Sequence, residues 1–209
     1  MPNFILVVFI IIASFKYLKD RNQKKFIATY HFPPTCSTKL SEQHPHLTTE
    51  QIQEVFDALR EYFYLCRLSK GQMIAMPSKV VDDAWHEFLL YTQEYAHFCK
   101  RAFGRFLHHT PTETMSLDSI VLAWWLACKN QGMDPKAPTV LPLLFNIDDL
   151  FAIPNEFIHG NDFLPNGYYY DTVNNYLTTP KVRRTKDGGS CSGGDGGGGG
   201  GGGCGGCGG

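Results

Sequence analysis

The first apolar run of the chain is continuous rather than periodic. Phe4 to Phe15 (FILVVFIIIASF) carries no charge. At about 1.5 Å per residue a helix over it would reach roughly 18 Å, against about 30 Å for a bilayer core. Starting at Met1 and running on through Tyr17 and Leu18, with Lys16 snorkelling, brings it near the lower limit for a spanning segment. The flanks are asymmetric. No basic residue precedes the block, whereas Lys16, Lys19, Arg21, Lys24 and Lys25 follow it. Residues 1–18 are therefore expected to be a single-pass membrane anchor, contacting lipid over residues 4–18, with the body of the chain facing the cytoplasm. A buried or interfacial helix and a cleaved signal peptide are the competing readings. The latter is weakened by the missing basic leader and the missing small-x-small cleavage site.

Beyond the anchor, Pro33, Pro34 and Pro45 among scattered polar residues suggest that 19–46 is a linker. Helical periodicity then begins. Thr48 with Gln51 fits a capping box, and Ile52, Val55, Phe56, Leu59, Tyr62, Phe63 and Cys66 recur at helical spacing until Gly71. A second helix is predicted from Ser78, its N-cap, to about Phe103 before Gly104, with Val81, Ala84, Phe88, Tyr91, Tyr95, Phe98, Cys99 and Ala102 on its core side. Thr110-Pro111-Thr112-Glu113 announces a third. Leu117, Ile120, Val121, Trp124, Trp125 and Cys128 form its apolar face, and Gly132 with Pro135 ends it. From Pro138 to Pro180 short apolar pieces between prolines predict irregular structure, one short helix and a hairpin at Asn166-Gly167. The fold class is thus mostly α, a small domain of three or more helices over 47–180 with an irregular C-terminal part.

Composition changes this picture at one end only. Of 21 glycines, 16 lie between Gly188 and Gly209. Glycine buries no side chain and costs the most entropy to order, so 181–209 is expected to be a disordered tail behind a small basic exit at Lys181, Arg183, Arg184 and Lys186. A net charge of −1 argues against nucleic acid as a partner. Seven cysteines without paired spacing in the body suit a reducing compartment. In the tail, Cys204 and Cys207 form a CxxC with Cys191 as a third thiolate. These are candidate ligands for a soft ion if a fourth arrives from elsewhere, and equally incidental thiols of a linker or sites of modification.

Candidate chemistry concentrates between Val81 and Pro111 (VDDAWHEFLLYTQEYAHFCKRAFGRFLHHTP), which holds four of the eight histidines. Asp82 precedes His86 by one helical turn. That spacing lets the carboxylate orient one imidazole nitrogen and leaves the other for a metal or a proton. On an unbroken helix Asp82, His86, Gln93 and His97 share a stripe, with His97 about 16 Å from His86 and Cys99 turned away from it. His108 or His109 could return to His86 only by a nearly straight backtrack or an earlier helix end. A polar packing network accounts for the same residues without any ligand. The candidate site comprises Asp82, Trp85, His86, Tyr95, His97, Cys99, His108 and His109, with His86, His108 and His109 as candidate ligands of zinc or another divalent metal.

The same block resembles the repeat of the glycine-rich domain-containing protein family, a domain of unknown function in plants and bacteria. The matching positions are Val81, Asp82, Trp85, His86, Tyr95, Cys99, Gly104, Phe106, His108, His109 and Pro111. The later segments LAWWLACKNQGMDP and LPLLFNIDDLFAIP, and the Gly/Cys-rich end, look like its bacterial branch. The resemblance spans about Leu47 to Pro154 plus the tail and implies no reaction. No nucleophile-base-orienter triad, phosphate loop or dinucleotide fingerprint is visible. The expected function is a noncatalytic, membrane-associated module that binds a protein partner and carries a histidine-rich polar site. The rival is a metal-dependent hydrolase or redox protein using Asp82 and His86 with His108 or His109.

Overall fold

The computed structural model describes residues 2–110, 116–154, 160–164, 167, 169 and 171–173, with side chains from residue 5 onward. All of them belong to the first of two units, residues 1–179. The second, 180–209, lies outside the described residues, and Cys191, Cys204 and Cys207 with it. The chain is mostly helical. Its elements are α1 (Pro2–Ala28), α2 (Pro34–Gln43), α3 (Thr49–Leu68), α4 (Lys79–Leu89), α5 (Thr92–Ala102), α6 (Leu117–Asn130), α7 (Leu143–Leu150) and a 3-10 turn at Gly160–Phe163. No strand occurs among the described residues.

α3 is the element around which the others assemble, packing against α1, α2, α4, α6 and α7. Its start follows the predicted capping box. Gln51 N donates to Thr48 Oγ1 at 3.2 Å, and Thr48 N donates to Gln51 Oε1 at 2.8 Å. Two otherwise orphaned backbone donors are thereby satisfied reciprocally. All seven apolar positions predicted to face the core of this helix are buried. They meet an aromatic cluster in which Phe63 lies 4.9 Å from Phe98, 5.7 Å from Trp85 and 6.4 Å from Phe88 between ring centroids. A second apolar group joins α6 to α7, where Trp124 stacks on Phe163 at 4.6 Å and meets Phe145 edge-on at 5.1 Å. The Trp124 indole N–H, which would be costly to bury alone, donates to Pro135 O at 2.9 Å.

Two expectations need correction. The first is the linker over 19–46. Instead, α1 continues to Ala28 and α2 occupies Pro34–Gln43, both docked on the body. Ile27, Cys36 and Leu40 are buried, Gln23 Nε2 donates to Arg101 O, Arg67 Nε donates to Gln23 Oε1, and Asp20 pairs with Arg67. Pro33 and Pro34 stand at the N-cap and first position of α2, where a missing N–H is harmless.

The expected membrane anchor over residues 1–18 falls on the first part of α1. No helix among the described residues is long and apolar enough to cross a membrane. The first half of α1 is nevertheless exposed throughout from Ile5 to Arg21, including Phe9 at 67% and Phe15 at 73%.

The second correction concerns the helix predicted from Ser78 to about Phe103, which is two helices meeting at Leu90–Tyr91, where Tyr91 takes φ −87° and ψ 64°. Phe88 and Phe98 show the consequence. Ten residues of unbroken helix would separate them by about 15 Å along the axis, yet their ring centroids are 5.5 Å apart. α5 folds back beside α4, and the shared stripe of Asp82, His86, Gln93 and His97 is dissolved.

Further along, α6 begins at Leu117 with Ser116 as N-cap residue, and the signal at Thr110–Glu113 falls largely on residues outside the described ones. The short helix expected after Pro138 is α7. The hairpin expected at Asn166-Gly167 also rests largely on residues outside the described ones.

Candidate functional site

α4 starts where the sequence predicts. Ser78 Oγ accepts from Val81 N at 3.2 Å, and a residue from α7 reinforces it. Asp148, buried to 6% exposure, accepts from Ser78 Oγ at 2.8 Å, from Lys79 N at 2.6 Å and from Val80 N at 3.1 Å. A carboxylate at a helix N-terminus meets both unpaired N–H groups and the positive end of the helix dipole. This anchor was not read from the sequence; the only signal was an acidic residue in an apolar run (LPLLFNIDDLF).

With its N-terminus fixed, α4 presents Asp82 and Asp83 to different partners. Asp83 accepts an ion pair from Lys79 and lies 3.0 Å from His44 Nε2, a contact that ties down the end of α2 and was also not anticipated. Asp82 faces the segment that follows α5. Gly104, at φ +74°, supplies the left-handed backbone that turns the chain out of α5. Residues 105–110 then run back toward α4, and His109 Nε2 reaches Asp82 Oδ1 at 2.9 Å. His86 Nδ1 stands 3.5 Å from Asp82 Oδ2, and the His86 and His109 rings are 4.4 Å apart. One ligand atom from each of Asp82, His86 and His109 falls within 4.8 Å of the others. Asp82 and His109 side chains are 15% exposed, while that of His86 is 52% exposed, so the cluster is walled by protein on one side and open to solvent on the other.

Trp85 and Tyr95 support this arrangement from beneath. The Trp85 indole meets the His109 ring edge-on at 4.5 Å, and its Nε1–H donates to Tyr95 Oη at 3.3 Å. Tyr95 Oη–H donates in turn to Leu107 O at 2.6 Å, pinning the returning segment two residues before His109. Burial pushes the Tyr95 hydroxyl well above its ordinary range, with the neighbouring Cys99 thiol adding to the shift, so Tyr95 acts as a neutral donor. Burial likewise raises the Cys99 thiol, which lies in the core beside the Tyr95 hydroxyl and the Leu107 backbone.

Of the eight predicted site residues, the structure brings together Asp82, His86 and His109, with Trp85 and Tyr95 behind them. His97 is exposed on α5 and joins none of them. His108 turns aside to Phe106, with ring centroids 4.9 Å apart, and lines a separate cavity. Among the described residues no buried side-chain nitrogen or oxygen lacks a hydrogen-bond partner.

Fold and cluster together define a helical domain with a two-histidine, one-carboxylate constellation where the segment after α5 closes on α4. The chain belongs to the UCP032817-like family, an uncharacterised family whose model matches residues 22–172. No curated protein and no solved structure matches it. The matched span takes in the docked end of α1, α2 and the whole site. It leaves out the exposed first part of α1 and the glycine-cysteine tail.

Proposed function

We propose that this chain is a noncatalytic helical module that binds a divalent cation such as Zn²⁺ through Asp82, His86 and His109. In this reading the first half of α1 attaches it to a membrane, with the body on the cytoplasmic side, where it engages a protein partner. The observation that carries the metal assignment is the convergence of three ligand-bearing side chains from two distant segments. Nitrogen and oxygen ligands about 2.0–2.1 Å from a tetrahedral zinc stand roughly 3.3 Å from one another. The His109–Asp82 and His86–Asp82 separations of 2.9 and 3.5 Å bracket that spacing. The resemblance to glycine-rich domain-containing proteins rests on the same block, which lies inside the span matched by the family model.

Attachment to a membrane is supported by the exposed apolar residues Ile5–Phe15 and the basic residues that follow them. Transfer of such a surface out of water is favourable at about 25 cal/mol per Å², and lysines next to it favour an anionic leaflet.

Elemental analysis of the full chain, purified reduced and without chelator or affinity tag, tests the metal assignment. His86→Ala is the decisive variant, because it removes one ligand while leaving the His109–Asp82 contact in place. The expected result is loss of one equivalent of metal at unchanged helicity. Equal metal content in both proteins sinks the assignment, and any ion that persists is then carried elsewhere, the tail thiols included.

The enzymatic reading retains one supporting observation. Three protein ligands with an open fourth side are the arrangement in which zinc activates water, and the exposed His86 edge leaves such a side. Hydrolysis of p-nitrophenyl acetate by the zinc-loaded chain, abolished in His109→Ala, would favour it over the noncatalytic reading.

A further inference from the structure

His108 and Arg105 have no part in the Asp82 cluster, yet both belong to the same returning segment. They line a cavity of about 190 Å³ whose other walls include Tyr62 and Cys66 of α3, Ile74 and Trp85. None of the described residues lining it is acidic. Among the described residues Arg105 makes neither a hydrogen bond nor an ion pair, a contrast with Arg60 and Arg67, which are held by Asp57 and Asp20. The nearby Cys66 thiol cannot supply the missing anion, since burial pushes it up to about 12 and keeps it neutral. A permanent cation and an imidazole therefore face a small cavity whose remaining wall sets Ile74, Trp85 and Leu107 beside the polar Gln72 and Thr110.

We infer that this cavity binds a small carboxylate with a flat apolar body, its carboxylate on Arg105 and His108 and its body against Trp85 and Ile74. A guanidinium offers a planar fork that matches a carboxylate with two parallel hydrogen bonds. The apolar side of the wall, at Trp85 and Ile74, argues against a bare inorganic anion, which would leave that side uncovered. The volume corresponds to roughly six waters at about 30 Å³ each, enough for a single ring and well below a drug-sized pocket. The cavity shares Trp85 with the Asp82 cluster, but its polar contacts come from different side chains, so the inference stands apart from the metal reading.

Benzoate is the probe, with benzamide as its neutral counterpart and inorganic phosphate as the anion without an apolar body. Each is titrated into the full chain in the presence of chelator, which separates the outcome from that of the metal reading. NMR of the Trp85 Nε1–H and His108 ring signals reports binding. Benzoate is expected to shift both signals saturably, with benzamide and phosphate at least about tenfold weaker, the scale of one charge-assisted contact. Arg105→Gln, at an exposed position with no hydrogen bond or ion pair among the described residues, is expected to weaken benzoate at least about tenfold at an unchanged melting temperature. The proposal is overturned by the absence of any shift at about 20 mM benzoate. Equal affinity for benzamide, tighter binding of phosphate, or undiminished affinity in Arg105→Gln would each overturn it as well.

Discussion

His109 Nε2 lies 2.9 Å from Asp82 Oδ1 across 27 positions of sequence, and this one contact closes the segment after α5 onto α4. Both side chains are only 15% exposed, so losing one partner leaves the other poorly solvated. His109→Ala is expected to cost about 1–3 kcal/mol and to release residues 105–110. Amide exchange in that segment should accelerate selectively, and unaltered protection there would show that Tyr95 and Leu107 hold it alone. His86→Ala should lie within about 0.5 kcal/mol of the parent, because its contact with Asp82 is longer and half exposed.

Asp148 fixes the base of α4 with three hydrogen bonds, two of them to backbone N–H groups. Asp148→Ala should lower the unfolding free energy by about 3 kcal/mol, the cost of leaving buried donors unpaired. Asp148→Asn, which keeps an acceptor but loses the charge, should fall between the two. Urea titration reads both. A loss below about 1 kcal/mol for the alanine variant would mean that Ser78 alone suffices as the cap.

Alkaline stability follows from the buried thiols. Burial raises Cys66 and Cys128 from 9.0 to about 12, and burial with the neighbouring Glu87 raises Cys36 to about 11. In each the folded state favours the protonated thiol, so the unfolded chain loses its protons first as pH rises. The stabilisation is complete below about pH 9 and is lost progressively as pH rises toward 11–12. Melting temperature should therefore fall above pH 9. Cys66→Ala, compared with its own value at pH 8, should show a shallower decline, and an identical slope would assign the loss to other groups. At neutral pH these thiols should react with iodoacetamide only as fast as the fold opens.

Removing residues 1–18 separates the two halves of α1. The docked half keeps Asp20, Gln23, Phe26 and Ile27, all of which contact the body. The shortened protein should thus melt within a few degrees of the full chain, about the shift expected below 1 kcal/mol. Co-flotation with vesicles containing anionic lipid should be strong for the full chain and lost on truncation. Flotation that survives truncation would move the lipid contact to another surface.

α3 could be read almost residue by residue, since its capping box and its apolar period are both local and agree with each other. Ser78 was legible as an N-cap for the same reason. The break between α4 and α5 was not. Leu90-Tyr91-Thr92 contains neither glycine nor proline, and the apolar period runs through it without interruption. The bend places Phe88 against Phe98 and Tyr95, so the signal for it lies in packing between residues seven and ten positions apart. α2 was missed for a related reason. It reads as polar, buries only Cys36 and Leu40, and is held by side chains such as Gln43, which donates to Glu87 Oε1 at 2.6 Å.

What the sequence determined by itself is whatever local physics can specify: helical character, the starts of α3 and α4, the core face of α3 and most of that of α6, and the Asp82–His86 spacing that one helical turn imposes. That His109 could meet His86 only by a nearly straight backtrack or an earlier helix end also follows from chain length alone. Only the tertiary structure decided between the two, in favour of the earlier helix end. A helix that breaks at Tyr91 lets Gly104 turn the chain back beside its own start, and it selects His109 over His108 and His97 as the partner of Asp82. That choice depends on burying Trp85, Phe88 and Phe98 together, a gain shared among residues far apart in sequence and therefore invisible in any local pattern.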